Sequence, residues 1–264
     1  MSAHHEVDVT QVPQLLFALA FGVLFVLYIG AVMLTNRSYK KWPLYRMICW
    51  CAGVLCAVVA VVGPLANRAH MDFSMHMTGH LLLGMLAPLL ITMSAPITLL
   101  LRTLSTTYAR RLTKLFRSWP SRIITDPVIA TLLNIGGLWL LYTTSLYSLM
   151  HENSMVYFFV HVHVLLAGYL FTVSLIYIDP VFHRNSFVYR AVVLILALAS
   201  HGILAKYIYA HPPEGVPQQQ AEQGSMIMYY GGDLIDVVII FTLCLHWFKA
   251  TKPRVVEQKD LEIN

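Results

Sequence analysis

Histidines and methionines cluster where a long apolar stretch of the chain begins. Residues 70–80 read HMDFSMHMTGH, which places six candidate ligands in one short segment: His70, Met71, Met75, His76, Met77 and His80. Thioethers are soft ligands that select Cu(I), and imidazole is also a copper ligand. Polar groups of this kind at the mouth of a membrane helix indicate a functional site by default. The segment therefore predicts a copper site that holds the metal as Cu(I).

The spacing of these residues refines the choice of ligands. His76 and His80 are four residues apart, and Met77 precedes His80 by three, so all of them can be neighbours on a helix surface. A compact set of His76, Met77 and His80 is feasible if the helix begins before residue 76. His70, Met71 and Met75 lie nearer the mouth of the helix and are secondary candidates.

The elements that position these residues are membrane helices. The chain has 264 residues, of which 58% are hydrophobic and only 12% charged, whereas soluble domains carry about a quarter charged residues. Apolar runs of about 20 residues are long enough to cross a hydrocarbon core. Seven such runs are visible, at roughly 13–34, 47–66, 78–101, 128–148, 156–178, 187–209 and 226–248. The sequence thus predicts an all-α integral membrane protein, a bundle of seven transmembrane helices.

The distribution of basic residues orients this bundle. All Lys and Arg residues except Arg68 and Lys206 fall in segments on one side of the predicted membrane. The positive-inside rule then places the N-terminus outside and the C-terminus in the cytoplasm. We predict an outer segment at 1–12, a membrane domain at 13–248 and a cytoplasmic tail at 249–264. The basic residues alternate with spans, which indicates contact with membrane lipid and not with nucleic acid.

The loops between the spans carry further expectations. The basic loop 102–127 has a partly helical pattern with an apolar face, so we expect it to lie on the membrane surface. The outer loop 210–225 is rich in proline and glutamine, and we expect it to be irregular.

The topology also sets the depth of the histidines. All of them except His183 and His246 fall in the outer third of the protein, including His161 in the fifth span and His201 in the sixth. His161 and His163 are about 200° apart around a helix, so only one of them can face a shared pocket. His161 is the main candidate and His163 a secondary candidate ligand, and the sequence leaves open which one faces the site. A single membrane histidine is more often a packing residue than a ligand. The agreement in depth among three spans is what favours a metal site.

Acidic residues reach the same layer from the seventh span. Asp233 and Asp236 lie about two turns into that span. Either carboxylate is a candidate to balance the charge of a metal or to hold an imidazole in one tautomer from outside the ligand set. His151, at the outer end of the fourth span, is a weaker candidate ligand.

Several of these segments resemble the CtaG-type cytochrome c oxidase assembly factors, a family of seven-helix membrane proteins. The matching pieces are HMTGHLLLGM at 76–85 with Ala87-Pro88, His161 with Ala167-Gly168 and Phe171, HGIL at 201–204, and EQGSMIM at 222–228. The resemblance implies a multi-pass protein of the bacterial plasma (inner) membrane that supports copper insertion into the catalytic subunit of a haem-copper oxidase. It also implies other copper chaperones as partners. The metal ligands we expect are His76, His80, His161, His201 and Met77.

Two other functions remain open. Two histidines on facing helices, such as His80 with His161 or His201, are able to ligate haem iron in a b-type haem or quinone redox protein. A copper transporter would need polar groups through the inner half of the membrane, where the sequence offers mainly the cysteines Cys49, Cys51, Cys56 and Cys244. No nucleophile–base–acid arrangement and no phosphate-binding glycine loop is visible in the sequence. We therefore predict a protein that is not an enzyme.

Overall fold

The computed structural model describes residues 11–252, and every regular element in that range is helical. The outer segment predicted at 1–12 and the tail predicted at 249–264 fall mostly outside the described residues. The helices follow one another in this order: α1 Gln11–Ser38, α2 Leu44–Val61, α3 Pro64–Ala69, α4 Phe73–Met93, α5 Pro96–Thr103, α6 Thr106–Phe116, α7 Trp119–Ile124, α8 Pro127–Thr143, α9 Leu146–Glu152, α10 Ser154–Leu175, α11 Phe187–Ala210 and α12 Gln218–Thr251.

Six of these helices are long and apolar enough to cross a membrane: α1, α2, α4, α10, α11 and α12. The helices α8 and α9 pass the same test together but are bent by 79° at their junction, so a seventh span exists if the bent pair counts as one. The protein is thus a helical, multi-pass membrane protein. The orientation of its termini stays a prediction.

α4 is the central helix of the bundle. In its most apolar stretch 56% of the residues are buried inside the protein, compared with 22% for α1. Its middle, Leu81–Leu86, winds as a π-helix just ahead of Pro88. Proline lacks an amide hydrogen, and its ring would collide with the carbonyl four residues earlier, at Gly84. The wider turn accommodates that conflict, and such π-bulges occur frequently at functional sites.

The ends of α4 differ from those of the predicted third span, 78–101. The helix begins earlier because the Asp72 carboxylate accepts hydrogen bonds from the amides of Ser74, at 2.7 Å, and Met75, at 3.4 Å. It ends at Met93 because Ala95 adopts a left-handed conformation with φ 54°. Pro96 then starts α5 as a separate helix, since a residue before proline disfavours the α conformation.

The expectation of an irregular loop over 210–225 is wrong in its second half. α12 begins at Gln218, eight residues before the predicted span at 226, and it runs to Thr251. Its first turns dock on the start of α4, because the side-chain oxygen Oε1 of Gln220 accepts a hydrogen bond from the Phe73 backbone amide at 3.1 Å. The side-chain oxygen Oε1 of Gln223 accepts another from the Ser74 hydroxyl at 3.5 Å. Gln220 thereby satisfies one of the backbone amides that a helix start leaves without a partner.

The basic loop is helical, as its pattern predicts. It forms α6 and α7, and neither helix contains a buried residue. Tyr108 and Leu115 of α6 are largely exposed. A basic helix that exposes apolar side chains is suited to the membrane surface.

Candidate metal site: two cavities that share His80

Five histidines surround one small cavity near the start of α4. We call it the outer cavity. Its volume is about 30 Å³, and the imidazoles that line it are those of His70, His76, His80, His151 and His161. They come from the turn before α4, from α4 itself, from α9 and from α10. A space of this size holds an ion or one or two waters.

A second cavity lies deeper along α4, and we call it the inner cavity. Its volume is about 20 Å³, and its polar lining comes from His80, Asn134, Thr172, His201 and Asp236. His80 therefore belongs to both cavities. The structure distributes the four predicted histidine ligands over two adjoining spaces, with His76 and His161 in the outer one and His201 in the inner one.

Three buried polar atoms of the inner cavity have no hydrogen-bond partner within residues 11–252. They are Nε2 of His80, Nε2 of His201 and Oδ1 of Asp236. A buried polar atom left without a partner costs about 1–3 kcal/mol. These atoms thus fit a site that binds an ion or an ordered water, and the imidazole nitrogens are suitable donors for copper.

The spacing of the imidazoles suits pairwise coordination. The ring centres of His80 and His201 are 6.4 Å apart, as are those of His76 and His151. Two imidazoles that share one ion have ring centres roughly 6 Å apart, because a metal–nitrogen bond measures about 2 Å. Among residues 11–252 no three His, Cys, Asp or Glu side chains come close enough to hold a metal ion together. A third ligand would require side-chain rotation.

Hydrogen bonds orient several of the outer imidazoles. Nδ1 of His151 lies 2.8 Å from the Tyr147 carbonyl, and Nδ1 of His161 lies 2.8 Å from the Tyr157 carbonyl. A carbonyl only accepts, so Nδ1 carries the proton in both rings. Nε2 of each ring is then left as the lone-pair nitrogen that a metal needs.

Three tyrosines that the sequence motifs did not single out lie in or beside the outer cavity. The Tyr142 hydroxyl lies 3.0 Å from Nε2 of His76. Tyr147 packs edge-on against His76, and Tyr157 packs on His161 with ring centres 4.0 Å apart. A sequence signal for two of them exists, because Tyr147–His151 and Tyr157–His161 are both pairs four residues apart on one helix face.

The structure separates the two histidines of α10. His161 lines the outer cavity, whereas His163 is exposed and its Nε2 lies 3.0 Å from the Leu133 carbonyl of α8. The two carboxylates of α12 separate in the same way. Asp236 is buried in the inner cavity, and Asp233 is exposed.

The predicted methionine ligands do not join the histidines. Met77 is fully buried and packs beside Gly224 of α12, where an added Cβ would come within 3.1 Å of its Cγ. Met71 is 84% exposed, and Met75 is half-buried. The compact set of His76, Met77 and His80 is therefore not assembled here, because Met77 points to a different neighbour than the two imidazoles.

Comparison with known proteins decides the family. The sequence profile of the cytochrome c oxidase caa3 assembly factors matches residues 26–250, a range that includes every residue of both cavities. The chain belongs to this family. This membership confirms the resemblance read from the motifs.

The curated relatives of this family member are longer proteins without an assigned function. An uncharacterized protein of Mycobacterium leprae is 28% identical over 259 aligned positions, and the match covers 90% of this chain and 39% of the relative. Uncharacterized proteins of Mycobacterium bovis and Mycobacterium tuberculosis are each 31% identical over 167 residues, 60% of this chain and 25% of theirs. The chain thus spans less than half the length of these relatives. No solved structure matches it.

Proposed function

We propose that this assembly factor binds Cu(I) between the histidines of its two cavities and supports its insertion into the catalytic subunit of the oxidase. Copper is cargo in this proposal, and the protein catalyses no reaction. The observation that carries it is the buried pair His80 and His201, whose Nε2 atoms have no hydrogen-bond partner within residues 11–252. Their ring centres are 6.4 Å apart, which suits one ion between them.

The two cavities support a stepwise path for the metal. His80 lines both spaces, and its ring lies at the boundary between the imidazoles of the outer cavity and those of the inner one. Copper taken up by the outer histidines would pass to His201 by exchanging one ligand at a time. Asp236, which lines the inner cavity, would offset the positive charge of the ion there. Ligands that exchange in this way suit a protein that must release its metal to a partner.

The size of the cavities favours an ion over the alternatives of haem or quinone. Spaces of about 30 and 20 Å³ compare with the roughly 300–1,000 Å³ of pockets that hold organic ligands. Copper transport finds less support as well. Cys49, Cys51 and Cys56 are half-buried and Cys244 is exposed, and in the described part of the chain none of them lines either cavity.

A Cu(I) competition titration tests the proposal. The purified protein is titrated without oxygen against a chromophoric Cu(I) chelator, and its affinity is compared with that of His80→Gln and His201→Gln. We expect each substitution to weaken Cu(I) binding by more than about tenfold, since even groups outside the ligand set commonly contribute 10–100-fold. The same preparation should lack a Soret band.

His163→Gln is the matched control, because it changes the same residue type on α10 at a position outside both cavities. We expect it to leave the affinity unchanged, while His161→Gln weakens it. Wild-type affinity in the double variant His80→Gln/His201→Gln would refute the ligand assignment. In the native host, replacing the gene with that double variant should lower the copper content of the purified oxidase. An oxidase with full copper content would refute the delivery role.

A further inference from the structure

The other end of α10 carries a pair of cavities of a different kind. The first is an apolar chamber of about 180 Å³ between the end of α10, α6 and α7, and its walls include Phe116, Ile124, Leu170, Val173 and Phe182. The second is a polar pocket of about 360 Å³, lined by Arg122, Asp126, His183, Arg184 and Asn185 among others. The two spaces share Thr125, Phe182 and His183, so they adjoin. Together they form a long site that is apolar at one end and cationic at the other.

The charge of the polar pocket is available to a ligand. Arg184 is exposed, and Arg122 is exposed at the end of α7. The carboxylate of Asp126, the acidic residue of this lining, is engaged elsewhere. It accepts hydrogen bonds from the Val128 amide at 3.0 Å and from the Tyr189 hydroxyl at 3.1 Å. The two guanidinium groups outnumber the one carboxylate, which is already hydrogen-bonded to other groups. The pocket therefore favours an anion.

The one carboxylate that lines the apolar chamber is also hydrogen-bonded to other groups of the protein. Asp179 accepts hydrogen bonds from the amides of Ile97 and Thr98 and from the Thr98 hydroxyl, at 3.1, 2.8 and 2.6 Å. Burial raises the pKa of its carboxyl, and the hydrogen bonds from Thr98 and Ile97 oppose that rise. Asp179 thus caps α5, and it is not part of the lining of the polar pocket.

We propose that this composite site binds one anionic phospholipid. The phosphate lies between Arg122 and Arg184, and part of one acyl chain enters the apolar chamber. Guanidinium groups are suited to phosphate because they offer paired donors in a fixed plane. The surroundings also match a lipid. Phe116 of α6 stacks on Phe182 with ring centres 6.0 Å apart, so the basic surface helix forms part of the chamber wall. The site is independent of the proposed copper function.

Lipid titration of delipidated protein, followed by native mass spectrometry, tests this inference. The probes are dioleoyl phosphatidylglycerol and, for comparison, dioleoyl phosphatidylcholine. We expect the protein to bind one phosphatidylglycerol at least tenfold more tightly than phosphatidylcholine. The double variant Arg122→Gln/Arg184→Gln should lose this preference. Inorganic phosphate at the same concentrations should not displace the lipid, which separates a lipid headgroup from a free anion.

The matched control is Arg110→Gln/Arg111→Gln, which removes the same charge from exposed positions of α6. It should bind phosphatidylglycerol like the wild type. Val173→Phe fills part of the chamber and should weaken phosphatidylglycerol binding without changing the thermal unfolding midpoint by more than a few degrees. Equal binding of the two lipids by the wild type would overturn the proposal. So would equal losses in the two arginine double variants, or tight phosphatidylglycerol binding by a folded Val173→Phe variant.

Discussion

α10 carries a binding space at each of its ends, and the two spaces differ in size and lining. Near His161 the outer cavity measures about 30 Å³ and is walled by five imidazoles. Near Leu175, roughly 20 Å further along the helix, the apolar chamber measures about 180 Å³ and is walled by aromatic and aliphatic side chains. The first suits an ion and the second an acyl chain. One helix thus borders two different kinds of cavity because its neighbours differ at each end.

The interactions that order the surroundings of the two ends of α10 differ as well. At the histidine end, carbonyls of α9 and α10 and the Tyr142 hydroxyl orient the imidazole rings. At the opposite end, buried charges of opposite sign fix the irregular segment after α10. Arg190 donates to the Leu175 carbonyl at 2.6 Å, and Asp179 accepts from the start of α5. The histidine end is therefore ordered by hydrogen bonds to imidazoles, and the chamber end by hydrogen bonds to buried charged groups.

Substitution of Gly168 should have the largest effect, because this residue lies between the two ends of α10. A Cβ at this position would overlap the Gly84 carbonyl oxygen and come within 3.0 Å of Pro88 Cγ. Gly168→Val should push α10 away from α4 and reduce the free energy of unfolding by on the order of 3 kcal/mol. Copper and lipid binding should fall together. The measurements are the thermal unfolding midpoint and both titrations.

Gly22→Val on α1 is the control for that substitution, since an added Cβ there meets nothing within 4 Å. It should leave the thermal unfolding midpoint and the affinities for Cu(I) and phosphatidylglycerol unchanged. A folded Gly168→Val protein that loses only one ligand would show that the two ends are not coupled through this contact.

Arg190 tests the chamber end alone. Its guanidinium lies 4.0 Å from the ring centre of Tyr177 and 4.5 Å from that of Phe187, in addition to its bond to the Leu175 carbonyl. Arg190→Met keeps much of the apolar volume but leaves that carbonyl without its partner, so we expect a loss of about 2 kcal/mol in unfolding free energy. Phosphatidylglycerol binding should weaken while Cu(I) affinity stays at the wild-type value. A change in Cu(I) affinity alone would contradict the separation of the two ends.

Much of this architecture follows from the sequence because membrane spans depend on long apolar runs. The bend between α8 and α9 was not foreseen, since a single apolar run at 128–148 conceals it. The early start of α12 was missed because Gln220 and Gln223 are polar and only tertiary contact with α4 explains their helix. Depth from the membrane surface grouped His76, His80, His161 and His201. The structure places the first three around the outer cavity, and His201 lines the inner cavity with His80. The depth of a residue does not tell in which direction its side chain points around the helix axis. Met77 was therefore grouped with these histidines although it faces α12.

Tyr142 provides the smallest and sharpest test, at the histidine end. Its hydroxyl occupies Nε2 of His76 at 3.0 Å, so copper binding through that nitrogen must first break a hydrogen bond. Tyr142→Phe removes the competing partner, and a hydrogen bond contributes about 1 kcal/mol. We therefore expect Cu(I) affinity to rise by about fivefold, with lipid binding unchanged. Weaker Cu(I) binding would mean instead that Tyr142 orients the ring and that the metal uses Nδ1 of His76. Equal affinity would place His76 outside the ligand set and leave His80 and His201 as the pair that holds the ion.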